Sequence, residues 1–278
     1  MSRLPLPTYF ISHGGGPWPY MTGEFRENLA PLERSLQQMR VELGDAPKAI
    51  LVVSGHWEER GFAVSSGTRP GMVYDYYGFP DYLYQIQYRA PGSPAVAQRV
   101  QELLRAGGLE ARLDPTRGFD HGTFSIMKPL YPQEDMPVVQ LSLDSGLDPA
   151  LHLAVGRVLA PLRDEGVLIV GSGLSFHNLR LIRGSGGYEP SRQFDTWLQQ
   201  TLVHSSPEER TRRLMDWDEA PFARVAHPRE DHLMPLMVAV GAAEADGGAT
   251  TYHQTDFAGG LTASSFRFGT APAVARAA

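Results

Sequence analysis

The chain has 278 residues, enough to bury roughly 75% of the surface its unfolded form exposes, so core size places no limit on one large domain. Its 31 acidic and 25 basic side chains give a net charge of −6 with no basic cluster, which argues against a nucleic-acid surface and against an anionic membrane. Cysteine is absent, so disulfides, thiolate metal sites and cysteine nucleophiles are excluded and any metal must be held by His, Asp, Glu or water.

In chain order, "TYFISHGGGPWP" (8–19) opens with a β-branched and aromatic run that reads as a buried strand, with His13 where the strand gives way to a glycine loop. No basic region leads into an apolar core and cleavage site before it, and no run approaches about 18 apolar residues. The expectation is a soluble, cytoplasmic protein that acts on small molecules. "AILVVSGHW" (49–57), "GFAVSSG" (61–67), "MPVVQLSLD" (136–144) and "GVLIVGSGLS" (166–175) read as strands buried on both faces. Between them, "SPAVAQRVQELLRAGG" (93–108) predicts a helix capped by Ser93, with Pro94 in its first turn, Gly107 as its stop and Val96, Val100, Leu103 and Leu104 on one face. "DPALHLAVGRVLAPLRDEG" (148–166) repeats that design from Asp148 and Pro149. "TYHQT" (251–255) and "LTASSFRFG" (261–269) add strands expected to pair antiparallel. Alternating strands and helices predict an α/β fold: a single domain over residues 1–278, with a central, mostly parallel mixed sheet flanked by helices on both faces. Only "APAVARAA" (271–278) reads as a flexible tail.

The histidines fall at informative places. His13 and His56 end strands and His177 follows one by two residues, and in an open parallel sheet the carboxyl ends of strands share one edge, where sites form. His121 in "GFDHGTFS" and His232 in "HPREDHLMP" stand at loops leading into helices. Neutral imidazole is the commonest metal ligand, and without cysteine it is the natural one here. One histidine at a strand end is ordinarily structural; several at one edge point to a site. His152, His204 and His253 keep the structural reading, and His227 is intermediate, able to orient the loop before His232.

Two other chemistries fail on their motifs. "HGGG" also occurs in esterases, but no serine here has glycine both two before and two after it, so the nucleophile elbow of those enzymes is missing. The glycine loop lacks the dinucleotide fingerprint and the lysine of a phosphate loop. The aromatic run "YDYYGFPDYLYQIQY" (74–88) reads as packing that could line a nearby pocket, and "PEERTRR" (207–213) as a solvated helix face.

Together "SHGGGPW", "VVSGHWEE", "YDYYGFPDYLYQIQYRAPGSP", "GFDHGTFS", "MPVVQLSLD", "SFHNLR" and "EDHLMPL" resemble the class III extradiol ring-cleavage dioxygenases, nearest the 4,5-DOPA dioxygenase type, in order from about residue 8 to 270. The resemblance implies that His13, His56 and His232 are metal ligands, that His177 is the acid/base residue and that His121 faces the substrate. The wider family uses two histidines and a carboxylate, whereas the DOPA type has a histidine third; of Glu230, Asp231 and His232, the expected ligand is His232. The activity so implied is that of an oxidoreductase that opens the ring of a small aromatic diol with dioxygen and Fe(II), Zn(II) being a possible occupant. A zinc-dependent hydrolase or a non-catalytic metal-binding protein on the same fold is the alternative. The particular catechol or aminophenol and the oligomeric state are not legible.

Overall fold

Apolar runs too short for helices become strands here, and the glycines and capping residues between them set where helices begin and end. The computed structural model describes residues 4–182 and 184–272; most of the expected tail lies outside them. In chain order the elements are β1 (Thr8–Ser12), α1 (Glu24–Asn28), α2 (Ala30–Leu43), β2 (Ala49–Glu59), β3 (Phe62–Ser65), α3 (Pro94–Ala106), β4 (Ala111–Asp114), α4 (His121–Leu130), β5 (Val138–Asp144), α5 (Pro149–Leu159), β6 (Val167–Gly173), α6 (Tyr188–Gln199), α7 (Pro207–Met215), α8 (Ala223–Ala226), α9 (Met234–Ala242), β7 (Gly248–Phe257) and β8 (Leu261–Phe268). The predicted caps are in place: the Ser93 hydroxyl accepts from the Val96 amide, and the Asp148 carboxylate from those of Ala150 and Leu151, each such cap contributing about 1 kcal/mol.

The strands form one eight-stranded sheet in the order β4-β3-β5-β2-β6-β1-β8-β7. β6 pairs in parallel with both β2 and β1, β2 with β5 and β3 with β4, while β3–β5, β1–β8 and β7–β8 are antiparallel. The late strands are thus the antiparallel additions expected.

Consecutive residues of a strand face opposite sides, and β6 shows helices on both. A Cβ at Gly171 or Gly173 would run into the carbonyls of Pro235 and His232 at the start of α9, whereas Ser172 between them donates to the Gly122 carbonyl in α4. The two glycines let the backbone around His232 lie directly on the sheet. Every residue of α9 is buried, which is why it is apolar all round rather than striped. No described helix is long and apolar enough to cross a membrane.

Candidate active site

β2, β6 and β1 are neighbours, so their carboxyl ends bring together residues far apart in sequence. His13 directly follows β1. His56 is not at a strand end as predicted: β2 continues to Glu59, and the histidine lies beyond the last pair with β6, Ser54 with Ser172, inside a register shift between Val53 and Glu58. The bulge turns its ring into the site while the strand goes on. His121 opens α4 behind the Asp120 cap, and His232 sits two residues before α9. His177 lies four residues past β6, its amide bonded to the Ala226 carbonyl.

The glycines after His13 make room for aromatic rings. Gly14 has φ +82° and Gly16 φ +52°, and a Cβ on them would stand 2.9 Å from the Trp18 ring and 2.7 Å from Phe79. Trp18 folds back in this turn, fully buried, and its indole donates to the His13 carbonyl at 2.8 Å. Gly14 and Gly16 therefore serve the turn that holds Trp18 against the His13 carbonyl.

Nε2 of His56 lies 3.2 Å from Nε2 of His13 and 3.1 Å from Nε2 of His232. Two nitrogens each about 2.1 Å from one ion stand roughly 2.9–3.4 Å apart, so these spacings fit a shared metal. The far sides of the rings support that reading. Nδ1 of His13 is 3.1 Å from the Ser172 hydroxyl, which spends its own hydrogen on the Gly122 carbonyl and so accepts from the ring. Nδ1 of His232 is 2.9 Å from Asp231 Oδ2, and Nδ1 of His56 is 3.2 Å from Asp75 Oδ2. With protons on Nδ1, the Nε2 atoms of His13 and His232 each turn a lone pair toward that of His56, an arrangement that a cation relieves. Burial, then the neighbouring imidazoles, hold the His13 and His232 rings well below the ordinary histidine range; burial does the same for His56, helped by His121 and opposed by Asp75. These shifts favour the neutral imidazole, the form that metal coordination requires.

Two further imidazoles adjoin them. The His121 ring centroid is 3.9 Å from that of His56, and one of its nitrogens lies within 4.8 Å of nitrogens on His13 and His56, close enough to compete for the same ion. His177 stacks on His232 with centroids 3.4 Å apart and an interplanar angle of 16°. Burial, then the His121 ring, lower its pKa to about 4. A nitrogen of His177, one of His232 and an Asp231 oxygen make a second close group.

The other candidates separate from the site. Glu230 is drawn to Arg224 at 2.7 Å. His227 is buried with Nε2 on the Ser175 carbonyl at 3.2 Å, packed edge-on to Phe194 and Trp217. His152 is fully buried, with Nδ1 donating to the Asp148 carbonyl and Nε2 accepting from the Asp144 amide. His204 is exposed, and His253 bonds Ser264 on the neighbouring strand. In the aromatic run, Tyr76 stands edge-on to His121 at 6.0 Å, but Tyr77 is 88% exposed and forms no wall.

Sequence reading missed Asp75 and Ser172 behind the rings, weighed Asp231 only as a ligand and not as the partner of His232, and missed Asp120, which braces the segment around His56. Asp120 is fully buried, accepting from Ser54 at 2.9 Å and Arg117 at 2.7 Å, and that arginine also donates to the His56 carbonyl. Only position beside a site histidine in "FDH" and "EDH", or within the aromatic run as "YD", marked any of them. Gly122 was also passed over. A Cβ there would come within 2.9 Å of His56 Cδ2 and 3.0 Å of Ser54 Oγ. Gly122→Ala is expected to displace the His56 ring and weaken metal affinity at least about tenfold, with destabilisation of roughly 1–3 kcal/mol, measured by metal titration and thermal melting.

Comparison with known proteins identifies the family. The family model described as the catalytic LigB subunit of aromatic ring-opening dioxygenase matches residues 7–269. The chain is 39% identical over 265 residues to a 4,5-DOPA dioxygenase extradiol of Beta vulgaris, covering 94% of this chain and 96% of the relative. It is 37% identical over 246 residues to the protein of that name from Escherichia coli K12, covering 87% of each. The crystal structure of an uncharacterised Escherichia coli K12 protein superposes with a TM-score of 0.76 at 32% identity, over 95% of this chain and all of that one. A match that takes in the whole sheet and all five clustered histidines makes the chain a member of the LigB family, an oxidoreductase of the class III extradiol, aromatic ring-opening kind.

Proposed function

We propose that this enzyme opens the ring of a small catechol, DOPA-like or related, with dioxygen, using Fe(II) held by His13, His56 and His232. The Nε2 of His56, 3.2 Å from that of His13 and 3.1 Å from that of His232, carries the reading. His232 is preferred to His121 as the third ligand because its Nε2 is 3.1 Å from that of His56 and it has its own carboxylate, Asp231, behind it. The relatives named 4,5-DOPA dioxygenase supply the substrate class. A ferrous ion bound there would provide open positions for a diol and for dioxygen, and electron transfer between them.

The protein's own groups handle the protons. His177, held neutral at ordinary pH by burial and the His121 ring, carries a lone pair that can take a proton from a catechol hydroxyl. The same ring returns it as the ring opens. His121, close to His56 and edge-on to Tyr76, is placed to orient a substrate oxygen.

Oxygen uptake with a panel of catechols and aminophenols, after anaerobic Fe(II) reconstitution, tests the proposal. One dioxygen consumed per ring and a yellow semialdehyde are expected, with the zinc form inactive because zinc has no redox chemistry. An inert iron form beside a zinc form that hydrolyses esters or amides would make the site a hydrolase; metal binding with neither activity would leave a metal-binding protein.

A further inference from the structure

We propose that Asp75 is a two-headed positioning residue: one carboxylate oxygen sets the ring of His121 and the other that of His56, fixing which nitrogen of each carries the proton. The inference rests on the reading of His56 as a metal ligand.

Asp75 reaches this place through the loop before it. Val73 donates to the Phe119 carbonyl and Phe119 to the Gly71 carbonyl, both at 2.8 Å, which zips residues 71–73 along the approach to α4. Two residues on, Asp75 Oδ1 accepts from the His121 amide at 3.1 Å and faces His121 Nδ1 at 2.8 Å. That amide belongs to the first turn of α4, whose unpaired N–H groups favour a negative charge. Oδ2 is buried, has no well-aligned donor, and lies 3.2 Å from His56 Nδ1.

Oδ1 already accepts from the His121 amide, and a carboxylate with one oxygen facing each Nδ1 accepts from both rings, so that in their neutral forms both Nε2 atoms keep lone pairs. Asp75 faces the Nδ1 sides, behind the rings, and so is no ligand itself. One residue thereby gives His56 its coordinating lone pair and leaves His121 an acceptor for a substrate hydroxyl. This couples the metal position to the substrate position.

Asp75→Asn tests it, because the carboxamide keeps the shape but presents an acceptor to one ring and a donor to the other. Long-range proton–nitrogen NMR of histidine-labelled, metal-free protein, assigned with His56→Gln and His121→Gln, should show protons on Nδ1 of both rings in the wild type. In Asp75→Asn at least one ring should move its proton to Nε2. Zn(II) and Fe(II) titration should show affinity down by about 10- to 100-fold with a near wild-type melting temperature, and Asp75→Glu should recover part of it. Protons on Nε2 in the wild type, or unchanged tautomers and affinity in Asp75→Asn, would overturn the proposal. A wild type with the expected tautomers that binds neither metal would instead sink the reading of the ligands. Should Asp75→Asn fail to fold, the wild-type spectrum and the Asp75→Glu titration decide.

Discussion

His232→Ala is expected to lose its metal on purification, with affinity reduced well beyond the roughly 100-fold that loss of a supporting partner costs. The ring's Nε2 faces that of His56 at 3.1 Å, and its backbone carbonyl accepts from Leu174, so the segment stays pinned to the sheet when the side chain goes. The change is therefore chemical and local. Two comparisons sharpen it. His227→Ala, five residues away, removes a buried ring that bonds only the Ser175 carbonyl; it should melt earlier, as core truncations of roughly 2–5 kcal/mol do, and keep most of its metal. His121→Ala should keep metal as well. If His121→Ala empties the site while His232→Ala stays loaded, the ligands are His13, His56 and His121, a set whose nitrogens also lie within 4.8 Å of one another. Metal content of the three purified variants, read by elemental analysis, separates these outcomes.

The parts of this molecule that were legible in the sequence are those governed by local rules. Helices began at Ser93 and Asp148 because a capping side chain must satisfy free amides, and strands at 49, 138 and 167 because short apolar runs bury both faces of a parallel sheet. Parallel strands also explain how His13 and His56 could be paired across 43 residues: any residue at those carboxyl ends meets the others. What remained hidden depends on third parties. The bulge that keeps His56 inside β2 arises from pairing with β5, which no local pattern announces. Asp75 lies in a loop whose course is set by Phe119, far along the chain. Within "PEERTRR", read as solvated, Arg210 is 1% exposed, donating to the carbonyls of Glu244 and Asp246 across Phe268. A buried charge satisfied by distant carbonyls looks, in sequence, like any other charge.

The division of labour among the five imidazoles is tested most directly at His177. His177→Gln should retain its metal and lose turnover by roughly 10² to 10⁴, the usual contribution of a positioned acid/base. Glutamine can occupy much of the same space and exchange hydrogen bonds with a diol, but it cannot carry a proton from one step to another. KM for the catechol should accordingly move little while kcat falls. The stacking on His232 at 3.4 Å supplies the competing explanation, since losing a ring there could loosen the ligand beneath it. Metal content decides between them: a loaded but slow variant assigns proton transfer to His177, and an empty one places it in the ligand set with Asp231 and His232, whose nitrogens and oxygen also cluster within 4.8 Å. A loaded variant slowed less than about tenfold would move the acid/base role to His121, the remaining imidazole at the site, and His121→Gln should then show the larger loss.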